Sequence, residues 1–122
     1  MTTSKAGHTP TRDQVLVAHA AEMIARTSLS TAGFAQALAA QLYALAPAKA
    51  EAAGVPNFAA LAEVGAAEPF IKATEAWLKR CQRWLGGDVE FPSWIEEAWV
   101  HALAPEWRER CVNELAARHG LI

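Results

Sequence analysis

Apolar residues recur at three- and four-residue intervals along most of this chain, and no stretch shows the strict alternation of a strand. Thr11 opens the first helix, with Gln14 three residues on at capping-box spacing. Val15, Leu16, His19, Met23 and Ile24 then form one apolar face up to Arg26. The run Thr27-Ser28-Leu29-Ser30 breaks the pattern. A second helix is predicted from about Thr31 to Ala46, with Phe34, Leu38, Leu42 and Leu45 as its stripe and Pro47 as its stop. Residues 47–67 are less regular: Pro47 and Gly54 bracket one short helix, and Asn57 and Gly65 bracket another that carries Phe58, Leu61 and Val64.

The clearest helix follows, from about Glu68 to Leu85, with Pro69 in its first turn and Gly86-Gly87 ending it. At 100° per residue, Phe70, Ala73, Thr74, Trp77, Leu78, Cys81, Trp84 and Leu85 share one half of the cylinder. Lys72, Glu75, Ala76, Lys79 and Arg83 share the other, and Arg80 lies at the edge. After Gly86-Gly87-Asp88, an extended piece Val89-Glu90-Phe91-Pro92 leads to Ser93, which with Glu96 has capping-box spacing and starts a helix to about Ala104. Ile95, Ala98, Trp99, Ala102 and Leu103 form its core face. Pro105 begins the last helix, striped by Trp107, Cys111 and Leu115 and closed by Gly120. Glu106→Arg110 and Glu114→Arg118 have the favourable i,i+4 orientation, about 0.3 kcal/mol each. The expectation is an all-α, compact, bundle-like domain of five or six short helices over 11–122, preceded by a disordered tail over 1–10.

Composition divides that domain. All five tryptophans (Trp77, Trp84, Trp94, Trp99 and Trp107) fall in one 31-residue window, so an alanine- and leucine-rich part (11–66) precedes a tryptophan-rich, charged part (67–122). With 122 residues the chain is long enough to bury about two-thirds of its unfolded surface without disulfides or metal. The net charge of −2 excludes a general electrostatic attraction for nucleic acid or anionic membrane, though not a local basic patch. Cys81 and Cys111 match no CxxC or zinc spacing and read as buried thiols of a cytosolic protein. No signal-peptide stretch and no apolar run of 18 residues occurs, so a membrane partner is not expected.

Catalytic and metal chemistry find no local pattern. His8, His19, His101 and His119 are scattered, no Ser or Cys sits in a nucleophile context, and no cofactor or metal motif occurs. The reading is non-enzymatic. Trp77, Trp84 and Trp99 lie on apolar faces and read as core; Trp94 reads equally as a helix-start staple or an exposed aromatic anchor.

Two functional surfaces follow. Lys72, Lys79, Arg80, Gln82 and Arg83 lie opposite or beside the core face of one helix; such a face is either solvated, through pairs such as Glu68→Lys72 and Glu75→Lys79, or a phosphate-contacting surface. The run Lys79-Arg80-Cys81-Gln82-Arg83-Trp84-Leu85-Gly86-Gly87-Asp88 resembles the end of the recognition helix in small prophage-encoded helix-turn-helix regulators related to lambda CII and YdaT. Phe91 to Leu103 and Arg108 to Arg118 are similar to their C-terminal helices, so the resemblance covers about residues 68–120. The chain departs from that pattern in its glycine-bounded preceding segment, Asn57 to Ala67, and in a long, tryptophan-rich candidate reading helix. The resemblance implies transcriptional regulation, with Lys72, Lys79, Arg80, Gln82 and Arg83 contacting double-stranded DNA, as a homodimer presenting two basic faces. Against it, residues 68–122 hold seven basic and nine acidic side chains. The alternative is a protein-binding inhibitor or adaptor, such as a phage anti-defence protein. Asp88, Glu90, Trp94, Glu96 and Glu97 would then dock on a basic site of a host protein. Self-association is expected through the alanine-rich faces of helices 11–26 and 31–46.

Overall fold

A computed structural model describes residues 10–120. The tail expected over 1–10 therefore lies, apart from Pro10, outside the described residues, as does His8. The described residues form seven α-helices and no strand: α1 (Arg12–Arg26), α2 (Thr31–Leu45), α3 (Pro47–Ala52), α4 (Phe58–Val64), α5 (Ala67–Leu85), α6 (Glu96–Ala102) and α7 (Pro105–Arg118). A 3-10 turn, Ser93–Ile95, precedes α6. The helix count exceeds the expected five or six because both glycine-bounded pieces between 47 and 67 fold as separate helices.

Local chemistry explains the boundaries. Thr11 Oγ1 accepts from Gln14 N at 3.2 Å while Gln14 Oε1 accepts from Thr11 N at 2.8 Å, a complete capping box for α1. Ser30 caps α2 through Gly33 N, and Asn57 caps α4 through Ala60 N. Pro47 and Pro105 occupy first-turn positions of α3 and α7, where the missing N–H costs nothing. Gly65 ends α4 in the left-handed region at φ +77°.

The Ser93–Glu96 capping box does not form. Ser93 starts a 3-10 turn without a side-chain cap, and α6 begins only at Glu96. The Glu96 carboxylate is instead taken by Arg12 across α1 and α6, with Arg12 Nε at 2.6 Å from Glu96 Oε1. That pair is bidentate and charge-assisted. The hydrogen bond to Glu96 raises the Arg12 pKa above its ordinary value.

One apolar core spans both halves of the chain. α2 is its central helix, burying Phe34, Ala35, Leu38, Ala39 and Leu42 against α3, α4, α5 and α6. Leu45, expected in that stripe, is exposed because the chain leaves the core at Ala46-Pro47. α1 buries Val15, Leu16, Ala20 and Met23 and packs on α5, α6 and α7. Of the alanine-rich faces expected to hold a second copy, the core takes Ala20, Ala35 and Ala39, while Ala18, Ala21, Ala25, Ala40 and Ala44 stay exposed.

Two tryptophans pin the halves together. Trp77 Nε1 donates to Ala35 O at 2.6 Å, and Trp99 Nε1 donates to Leu16 O at 2.9 Å. Both rings are fully buried, so each polar handle reaches a carbonyl where no water can. The rings continue as a chain of edge-on and tilted contacts, Trp77–Trp84–Phe91–Trp99–Phe34, with centroid separations from 4.8 to 6.5 Å. Trp107 is also buried, with Cys111 and Leu115 along α7.

Candidate functional site

A concave site lies where α5 ends. Gly86 N bonds Gln82 O at 2.8 Å, Gly87 N bonds Trp84 O at 3.1 Å, and Asp88 N bonds Arg83 O at 2.9 Å. Gly87, at φ +75°, reverses the chain. The reversal sends Val89-Glu90-Phe91 back along the core, where Phe91 is buried at 4.9 Å from the Trp99 ring. Because alternate residues of an extended piece point opposite ways, Phe91 and Val89 turn inward while Asp88 and Glu90 stay exposed.

The first turns of α1 form the opposite wall with Asp13, Gln14, Val17 and Ala18. Between these walls is an open groove of about 550 Å³. Its apolar lining is Val17, Ala18, Trp84, Leu85, Val89 and Phe91. Its charged lining is Asp13, Asp88 and Glu90, with no Lys, Arg or His among the lining residues. None of the three carboxylates takes an ion-pair partner among the described residues. The C-terminal end of the 19-residue α5 adds the negative pole of its dipole. Among the described residues the groove thus offers three carboxylates and no lining cation over an aromatic floor.

The five residues of the basic set separate. Lys72, Lys79 and Arg83 fall within a 40° sector of α5, a line about 16 Å long. All three are exposed, as is Gln82, and Lys72 pairs with Glu68 at 3.5 Å. The expected Glu75–Lys79 pair is not formed. Arg80 turns inward. Its guanidinium donates to Ala53 O at 3.1 Å and lies over the Trp77 and Trp84 rings at 5.1 and 5.7 Å. It thereby caps the C-terminal end of α3 and covers the aromatic core.

The acidic set also divides. Asp88 and Glu90 line the groove. Glu96 and Glu97 line a different depression of about 360 Å³ with Arg12, His101, Val112 and His119. Glu96 is spent on Arg12. Trp94 lines neither; it is half-buried, packed against the core, with Lys49 Nζ 5.7 Å from its ring. On α7 the Glu106–Arg110 pair forms at 2.8 Å, but Glu114–Arg118 does not. Glu114 instead meets His19 at 2.9 Å, and Arg118 donates to Pro10 O, both across to the start and middle of α1.

Asp13 is the groove carboxylate that sequence reading missed, along with the rest of its wall, Gln14, Val17 and Ala18. Asp13 lies 75 positions before Asp88, and nothing local marks it. The cysteines are inert by contrast. Burial pushes the Cys81 thiol up to about 12 and the Cys111 thiol up to about 11, so neither is a thiolate at neutral pH. No cluster of three or more metal-ligating side chains occurs among the described residues, and no helix there is long and apolar enough to cross a membrane.

No curated protein and no solved structure matches this chain. Residues 13–105, which contain every groove-lining position, match the model of a family of unknown function (DUF8585), and the chain belongs to that family.

Proposed function

We propose that this is a non-enzymatic binding protein, an inhibitor or adaptor. Its groove between α1 and the 86–91 segment takes a basic, partly apolar segment of another protein. The observation that carries this reading is the composition of the groove: three carboxylates without an ion pair among the described residues, no cation in its lining, and a floor that includes Trp84 and Phe91. Exposed charge pairs contribute only about 0.2–1 kcal/mol each. Affinity therefore comes from apolar side chains over the floor, and the carboxylates select for Lys or Arg beside them. The targets this fits are Lys- or Arg-rich protein sites, including sites that otherwise hold nucleic acid.

The test is a calorimetric titration with a peptide alternating Arg and Leu, against the same peptide with Glu for Arg. The Arg peptide is expected to bind, to weaken with salt, and to lose about tenfold in affinity to an Asp88→Asn/Glu90→Gln variant. Equal binding of both peptides, or unchanged affinity in the variant, contradicts the reading.

A second reading, regulation through double-stranded DNA, is favoured by one observation: the line of Lys72, Lys79 and Arg83 on the outer face of α5. Arg80 contributes to the fold rather than to that line. Three phosphate contacts correspond to a salt slope of about −3 in log K against log salt. Anisotropy of a labelled mixed-sequence duplex measures that slope, and its persistence in a Lys79→Ala/Arg83→Ala variant excludes the face.

A further inference from the structure

One wall of the groove carries main-chain groups that the fold does not use. After the bend at Asp88-Val89 the chain runs to Pro92 outside any helix. Both ends of that run are tied, since Asp88 N bonds Arg83 O at 2.9 Å and Pro92 O accepts from Ile95 N at 3.2 Å. Between them, the N–H and C=O groups of Val89, Glu90 and Phe91 make no hydrogen bond among the described residues. Phe91 is only 7% exposed, and main-chain groups at buried residues are nearly always paired. A ligand that brings its own main chain supplies the missing partners.

The side chains of the run set what that ligand must be. Asp88 and Glu90 are exposed on one face, while Val89 and Phe91 turn to the other. On a strand, side chains of one face repeat about every 6.6 Å, and neighbouring strands keep their faces in common. A strand laid beside residues 89–91 therefore carries one set of side chains past the carboxylates and the other over the aromatic floor. Nothing lies within 4 Å of where a Gly87 side chain would be, so a second main chain has room at the turn. A helical ligand uses none of these groups, because its main chain is paired within itself. The same edge of a second copy brings the same carboxylates and is repelled, so charge selects a basic segment as the occupant.

We infer, resting on the reading of the groove given above, that its ligand binds by strand addition. An extended segment of another protein, with cationic and apolar residues in alternation, pairs its main chain with residues 89–91. Main-chain bonds hold the segment without regard to its sequence. Asp88 and Glu90 then select the cations, and the floor that includes Trp84 and Phe91 selects the apolar residues between them.

The experiment is a calorimetric titration of the unaltered full chain with the alternating Arg and Leu peptide and two N-methylated forms of it. One form is methylated on every Leu main-chain nitrogen, the other on every Arg main-chain nitrogen. Along a strand the N–H groups of successive residues point to opposite edges. Each form thus blocks one edge and keeps every charge and side chain of the parent. One form is expected to lose at least about tenfold in affinity, and the other less than about threefold. Equal affinity of all three peptides, or equal losses in both methylated forms, overturns strand addition while parent binding leaves the groove reading standing. A parent peptide that binds no better than its Glu counterpart overturns both.

Discussion

The two ends of α5 meet the rest of the molecule in opposite ways. Its C-terminal half is locked by Trp77 on Ala35 O, by the ring chain from Trp84 to Phe34, and by Arg80 across to α3. Its N-terminal turn carries an uncapped start, and the helix before it has no fully buried residue, only Phe58 partly covered by the core. The same helix thus has a rigid end and a loosely held end. The rigid end holds the groove walls at fixed spacing, which is what recognition of a particular cationic segment needs. The loose end, at the α4–α5 elbow of Gly65 and Ala66, leaves the large apolar side chains of Val64 and Ile71 exposed.

The sharpest way to break this contrast is to truncate a ring at each end. Trp77→Ala removes a fully buried ring and orphans no charge, and is expected to cost about 3–5 kcal/mol by chemical denaturation. Phe70→Ala, half-buried at the elbow, is expected to cost about 1 kcal/mol. Equal losses would show that the elbow is packed as tightly as the aromatic core.

Thiols sharpen the same contrast. Cys81 and Cys111 are expected to stay unreactive toward a thiol reagent until global unfolding, whereas a Val64→Cys substitution is expected to react at once. The raised thiol values also set a pH dependence. The unfolded chain ionises its thiols near the ordinary value of 9.0, while the folded chain holds its protons up to about 12 at Cys81 and about 11 at Cys111. Between those values the folded state binds more protons, so stability falls as pH rises above about 9. A thermal melt series across alkaline pH, with Cys81→Ala as comparison, measures that fall and its reduction in the variant.

A smaller effect belongs to the α1–α6 tie. Arg12→Ala breaks a partly exposed pair and is expected to cost about 1 kcal/mol, roughly the upper value for such sites after solvent screening. Because Arg12 adjoins Asp13, the loss is expected to loosen the α1 wall of the groove more than the elbow. Hydrogen exchange resolved by residue checks this: faster exchange at 12–16 with α4 unchanged supports it, and the reverse opposes it.

The helices were legible because periodicity and punctuation coincide. Thr11 with Gln14, Pro47, Gly65 and Gly86-Gly87 each mark a boundary by a local rule. What was illegible is what depends on distant partners. Ser93–Glu96 has cap spacing, yet Glu96 is claimed by a residue 84 positions away. Glu114–Arg118 has pair spacing, yet His19 and Pro10 O take the two partners. Arg80 sits at the edge of a helical wheel, and only the arrival of α3 decides that it turns inward. The groove was half-legible for the same reason: Asp88 and Glu90 adjoin a visible turn, while Asp13 enters only through the docking of α1.

The five indole N–H groups make the central claim directly measurable. Trp84 lines the acidic groove, Trp94 and Trp107 do not, and Trp77 and Trp99 are hydrogen-bonded in the core. A 1H–15N spectrum is recorded while the alternating Arg and Leu peptide is added. Shifts of the Trp84 indole and of the Asp13, Asp88 and Glu90 amides, with Trp94 and Trp107 unmoved, are the result expected. An unmoved Trp84, with shifts gathered instead on the Lys72, Lys79 and Arg83 face when duplex DNA replaces the peptide, would contradict the account.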